Sequence, residues 1–482
     1  MKKWMLPIAA AMALGTGQAN AACSPDYSGV SLTVGSQVGP FIASAFEAAG
    51  KSWAEQTCGE VEIVEFPFGE LYPKFLTAMV ANEDSFDVIS FPPAWTPDFV
   101  PYLTEMPASI READAWEDIH TVYRDRLMVW NGKHYTQTID GDLHNLTYRT
   151  DLFEDAKEQS AFKAKYGYDL RLPQDWKEYL DIAEFFTRPD QGLWGTAEAF
   201  VRGGQQFWFF FTHVASYTNH PDHPGSMFFN PENMDAQVNN PGWVKALEDY
   251  VRASKLAPPG ALNFNFGDVN SNFAGGKVAM SVGWGDTGVI AADPKQSTVN
   301  GKVGSAVTPG SKEVWNYKTG KWDSFDAPVV SPFMAFGGWQ AAVPAASKKQ
   351  EAAWHFIEWV SNPENSGIAT VTGGSGVNPY RYSHFTDVDR WLSTFTRAEA
   401  EAYLAAQKDS ASHPNVALDM RLPGYFSYTE ILEIELSKAL AGQVSAQEAL
   451  DAVAEQWDAL TDDFGRDTQL AAYRSSMGLP PL

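Results

Sequence analysis

Five short segments between Val30 and Ser90 set the fold class. Val30–Val34 alternates apolar and polar residues and ends at Gly35, as a strand does. Phe41, Ala45, Ala48 and Ala49 then recur at helical spacing. Val61–Phe66 reads as a second strand, Leu71–Val80 as a second helix and Phe86–Ser90 as a third strand. This strand–helix rhythm predicts an α/β fold with a doubly wound sheet. Ligands of such sheets bind beyond the carboxyl ends of the strands. Those ends are marked here by Gly35-Ser36-Gln37, Pro67-Phe68-Gly69 and Phe91-Pro92-Pro93-Ala94-Trp95.

A chain of 482 residues is too long for one compact core, so two large domains or three smaller ones are expected. Its 35 basic and 60 acidic residues give a net charge of −25, which argues against a nucleic-acid partner. Aromatic content is the unusual feature. With 17 Trp, 18 Tyr and 30 Phe, some rings are expected to face a ligand rather than a core.

The first residues address the compartment. Lys2 and Lys3 precede an apolar run, Trp4–Leu14, and then Ala19-Asn20-Ala21. This is the pattern of a cleaved signal peptide over residues 1–21, and the run is shorter than the roughly 20 residues a membrane span needs. An exported, soluble, periplasmic protein is expected. Export places Cys23 and Cys58 in an oxidising space. Each lies just before a strand-like run, so parallel neighbouring strands would bring them to one sheet edge for a disulfide. Two buried thiols are the alternative. Lipidation of Cys23 is another, although Asn20 stands where a lipobox wants Leu.

Further along, Asn131-Gly132 signals a turn. A strand-like stretch, His134–Arg149, is interrupted by Asp140-Gly141-Asp142. Residues 207–211 lie in an apolar helix, 218–242 in a loop, and Trp243–Ala253 in a helix. Gly275–Trp284 is a turn followed by a strand. The last third is mostly helical. Ser347 with Gln350 has the form of a capping box before Ala353, Phe356, Ile357 and Val360. Leu432, Leu436 and Leu440 form a stripe closed by Gly442. Ser445 and Glu448 cap the next helix.

Asp140 and Asp142 are two residues apart and share a face in a strand. They suit an acid/base pair for glycoside hydrolysis, a pair of hydroxyl acceptors, or a plain Asp-Gly turn. His213, His220 and His223 with Asp222 have no tight ligand spacing, and no metal or cofactor is expected. There is no G-x-S-x-G elbow, Walker loop or dinucleotide fingerprint, and Gly373–Gly376 reads as a turn. Trp95, Trp284 and Trp339 each lie in a Gly- or Pro-rich stretch at or near a strand end. A flat ring there can cover the apolar face of a sugar.

Four stretches carry a resemblance. They are Gly132–Asp142 continuing through Leu146–Phe153, then Phe273–Trp284, then Gly337–Pro344 with Glu351–Trp359, and finally Leu422–Tyr425. Together they resemble the bacterial extracellular solute-binding proteins of family 1, the sugar-type component of ABC importers. The resemblance implies a two-lobe periplasmic-binding fold of type II, with crossing hinge strands. It places residues 22–139 plus about 304–336 in the N-terminal lobe, and 140–303 plus 337–482 in the C-terminal lobe. Trp95 would come from the first lobe, and Asp140 and Asp142 from the hinge. Trp208, Trp284 and Tyr425 would come from the second lobe, and Trp339 from the last crossover. Arg381 and Gln37 complete the expected ligand contacts. The implied function is capture of a sugar, oligosaccharide or polyol by hinge closure, with delivery to a membrane permease by a monomer. The competing class is an exported glycoside hydrolase or lyase using Asp140 and Asp142.

Overall fold

The computed structural model describes residues 23–482; the expected leader, 1–21, lies outside the described residues. Among the described residues, no helix is long and apolar enough to cross a membrane. The chain starts as β1 (Ser31–Gln37), α1 (Ala43–Thr57), β2 (Glu60–Phe66), α2 (Phe68–Val80) and β3 (Val88–Phe91). β1 pairs in parallel with β2 on one side and with β3 on the other. Leu32, Val34, Val88 and Ile89 are fully buried between the covering helices. α1 presses Phe46 and Trp53 into this core and ends at Cys58, whose φ of 59° stops the helix. Cys58 is bonded to Cys23, with Cα atoms 5.8 Å apart, which ties the N-terminal segment to the end of α1 and occupies the Cys23 thiol.

Two late or short strands complete the first sheet. Gln340–Ala342 runs antiparallel between β3 and Gln137–Thr138. A second sheet has the order Val303–Ala306, His144–Arg149, Val278–Trp284, Trp194–Ala197. The strand expected across 134–149 is thus broken in two, and its halves serve different sheets. The Asp140-Gly141-Asp142 interruption is where the chain passes between them.

Strand pairing differs from the expected lobe boundaries at two places. Val303–Ala306 pairs with His144–Arg149, so the second sheet extends past residue 303. Gln340–Ala342 belongs to the first sheet, not with the residues around it in the expected span 337–482. The following helix, Gln350–Ser361, packs on α1, with Phe356 5.6 Å from Trp53 and 6.2 Å from Phe46. Helical periodicity identified this helix but carries no information on which sheet it covers.

Local signals fared unevenly. Ser445 and Glu448 form the expected capping box. Ser347 does not cap its helix; its hydroxyl donates to Asp87 at 2.6 Å instead, tying that helix to β3. The helix Gln206–Thr218 is buried along its whole length, as a helix apolar on every face must be. Residues 311–329 form an antiparallel two-stranded ribbon.

Candidate functional site

Three segments lie side by side between the sheets: 139–142, 338–339 and 376–378. The Ile139 N–H donates to the Trp339 carbonyl at 2.9 Å, and the Gly141 N–H to the Asn378 carbonyl at 3.1 Å. Such close approach needs glycine. Gly338 has φ +83°, and a side chain there would strike the Asp140 carbonyl.

This crossing organises the carboxyls. Asp140 accepts from the Asn378 N–H at 2.6 Å and the Trp339 N–H at 3.3 Å. The Asn378 side-chain amide donates to Asp142 at 2.7 Å and to Asp286 at 3.3 Å. Asp140 and Asp142 are buried, while Asp286 is partly exposed. Burial pushes Asp140 up to about 7, and it raises Asp286. Asp142 is pushed well above the usual carboxylate range by burial and then by the neighbouring charges of Asp140 and Asp286.

Next to the crossing is a crevice reached from both sheets. Gln37 comes from the end of β1 and Phe41 from the loop after it. Trp284, Asp286, Phe266 and Gln205 come from the second lobe, and Asp142, Phe336, Trp339 and Gly376 from around the crossings. Phe41 and Phe266 close it, with ring centroids 5.0 Å apart. About 30 Å³ remains inside, room for a water molecule or so, so a larger guest enters only when the lobes part. A wider chamber of about 340 Å³ adjoins it through Gln205, between Phe68 and Trp95 on one side and Phe207, Trp208 and Tyr425 on the other. Glu433 lines that chamber, and burial pushes its carboxyl up to about 7.

The expected contact residues divide into three groups. Gln37, Asp142, Trp284 and Trp339 meet in the crevice. Trp95, Trp208 and Tyr425 line the outer chamber instead. Trp208 and Tyr425 share a buried carboxylate, both donating to Asp419, at 2.8 and 2.6 Å. Asp140 and Arg381 line neither the crevice nor the chamber. Asp140 is turned onto backbone N–H groups. Arg381 is buried with its guanidinium on the carbonyls of Ser361 and Ala115, which it ties together.

The histidines serve packing and pairing. His213 stacks on Trp176 at 3.8 Å and bonds Glu198 at 2.8 Å. His220 pairs with Asp323 at 3.0 Å. Among the described residues, no group of three or more His, Cys, Asp or Glu is arranged to hold a metal ion.

Phe41, Gln205, Phe266, Asp286, Phe336 and Asn378 went unnoticed in the sequence. Asp286 had a signal, since it follows Trp284 by two residues at a strand end. Asn378 and Phe336 had none, because their roles arise from contacts across more than 50 residues. Gln205 and Phe336 share a backbone trait with Ile42, which also lines the crevice. All three are non-glycine residues at positive φ, of 72°, 71° and 65°. Such strain concentrates at functional sites.

Two α/β sheets joined by crossing segments, with a polar and aromatic crevice between them, define a two-lobed solute receptor. The chain belongs to the bacterial extracellular solute-binding protein family, whose model matches residues 37–366. It is 26% identical over 355 residues to a mannitol-binding protein of Pseudomonas aeruginosa, covering 70% of this chain and 71% of that protein. Its fold is similar to an ABC transporter solute-binding protein from Agrobacterium radiobacter K84, solved with ribitol. That match has a TM-score of 0.72 at 22% identity and covers 90% of this chain and all of the other. A maltose-bound T. maritima protein matches with a TM-score of 0.71 at 20% identity, over 89% of this chain and all of the other. These proteins are binding proteins rather than enzymes.

Proposed function

We propose that this protein is the exported substrate-binding component of an ABC importer, and that it captures a sugar, oligosaccharide or polyol between its lobes. The observation that carries this reading is the crevice itself, lined by Asp142, Asp286, Gln37 and Gln205 together with Trp284 and Trp339. Carboxyl and amide oxygens take hydroxyl protons, amide N–H groups meet hydroxyl lone pairs, and indole faces cover C–H surface. The mannitol-binding relative supports the ligand class.

In this reading one lobe is built on the sheet of β1, β2 and β3, and the other on the sheet of His144–Arg149 and Val278–Trp284. Gln37, Asp142, Trp284 and Trp339 bind the guest in the crevice, and Trp95, Trp208 and Tyr425 act in the outer chamber. The guest enters with the lobes apart and favours the closed form because only that form offers both walls. The closed form then docks on a membrane permease, and the receptor works as a monomer.

Capture proceeds without turnover. The hydrolase reading needs Asp140 and Asp142 both aimed at a glycosidic bond, yet Asp140 is committed to the N–H groups of Asn378 and Trp339. Thermal-shift and calorimetric titration with hexitols, pentitols and maltose-type sugars tests this. Stabilisation with no product after long incubation is expected; product formation, or no response to any of these compounds, would overturn it.

A further inference from the structure

The charge lining the crevice is one-sided. Asp142 and Asp286 share a single side-chain amide donor, Asn378. Gln37 and Gln205 are more than nine-tenths buried, and the carbonyl oxygen of each has no partner. All four line the crevice, together with the rings of Phe41, Phe266, Trp284, Phe336 and Trp339. The indole N–H of Trp284 is already given to the Ala335 carbonyl at 3.0 Å. Among the described residues lining the crevice, none is Lys or Arg. The walls therefore present two carboxyls, two side-chain amides and the negative faces of aromatic rings, with no cation among them.

A neutral polyol matches such walls only in part. Its hydroxyls find donors in the Gln37 and Gln205 amides and acceptors in the carboxyls, but they bring no charge to set against Asp142 and Asp286. An alkylammonium group has three N–H donors and no acceptor, and it carries the charge that carboxylates and ring faces both attract. Asp140, two residues before Asp142, adds a third carboxyl to the same neighbourhood.

Resting on the reading of the protein as a polyol or sugar receptor, we propose that its preferred guest bears a protonated amine, as an amino-polyol or amino sugar does. The ammonium sits between Asp142 and Asp286, while the hydroxylated remainder lies along Trp284 and Trp339 beside the Gln37 and Gln205 amides. Burial raises the carboxyls in the free protein, and a cation replaces the protons they would otherwise hold.

Isothermal titration of the mature protein with a hexitol, its 1-amino-1-deoxy analogue and the N-acetyl derivative of that amine tests the proposal. The amine is expected to bind roughly tenfold or more tightly than the other two. Acetylation keeps the chain and removes the charge, so the N-acetyl compound should lose this advantage. Asp286→Asn should weaken the amine far more than the hexitol, so that the two bind about equally. Asp286 is partly exposed, and thermal melting of this variant checks that it is folded. Equal or stronger binding of the hexitol would overturn the proposal and leave the polyol reading standing. Failure of all three compounds, together with maltose-type sugars, would overturn both.

Discussion

The backbone N–H of Asn378 donates to the carboxylate of Asp140 at 2.6 Å, across 238 residues of sequence. The side-chain amide of the same Asn378 reaches Asp142 and Asp286. One residue thereby holds the lobe crossing together and orients two walls of the crevice. Asn378→Ala leaves those two carboxyls without their amide, and an unmade buried hydrogen bond costs roughly 1–3 kcal/mol. Urea denaturation should show a loss of that size, and calorimetry a weaker guest. Unchanged stability and affinity would remove Asn378 from this role.

Acidity should act on the free protein through the same group. Burial pushes Asp140 up to about 7 from an ordinary value of 3.8, with Asp286 adding charge and no cation among the causes. Between these values the folded form keeps a proton that the unfolded chain has released. The contribution of Asp140 to stability therefore falls as pH rises through that window, and it levels off above the folded value. Asp140→Asn cannot ionise, so the stability of the variant relative to wild type should climb as pH goes from about 4 to about 7. Denaturation midpoints across that range measure it, and a flat difference would contradict it.

Trp284 has two duties. It lines the crevice, and it packs at 4.6 Å from His144 and 5.2 Å from Phe209. Trp284→Ala should therefore lower stability by about 3–5 kcal/mol as well as affinity. Trp284→Phe keeps an aromatic ring and gives the cleaner binding test. Its melting temperature should stay near wild type, with guest affinity falling roughly tenfold. Unaltered affinity would place the guest elsewhere.

The Cys23–Cys58 bond spans 35 residues of sequence and fastens the chain start to the end of α1. Cys58→Ala should cost about 2–4 kcal/mol in guanidinium denaturation, with little change in guest affinity, since neither cysteine lines the crevice. A stability loss too small to measure would show that other contacts already hold this segment.

What the sequence conveyed followed the range of its signals. Alternation in Val30–Val34 and helical spacing in Phe41–Ala54 are local, so β1 and α1 were legible. The fate of Gln340–Ala342 was not, because an antiparallel return into the first sheet depends on a partner some 250 residues away. The crevice positions of Trp284 and Trp339 were legible from their strand-end contexts, whereas the guanidinium of Arg381 is consumed by the Ser361 and Ala115 carbonyls. Sequence context marks where a side chain stands. Which neighbour claims it is decided by the fold.

Ile42, Gln205 and Phe336 hold left-handed backbone around the crevice without being glycine. Each such torsion costs on the order of 1 kcal/mol, which a glycine at the same place would recover. At Ile42 and Phe336 the buried side chain is worth about 2–5 kcal/mol and outweighs that gain, so a library screened for heat resistance should keep both and enrich glycine at Gln205 alone. Robustness and selectivity are set against each other at that one peptide unit.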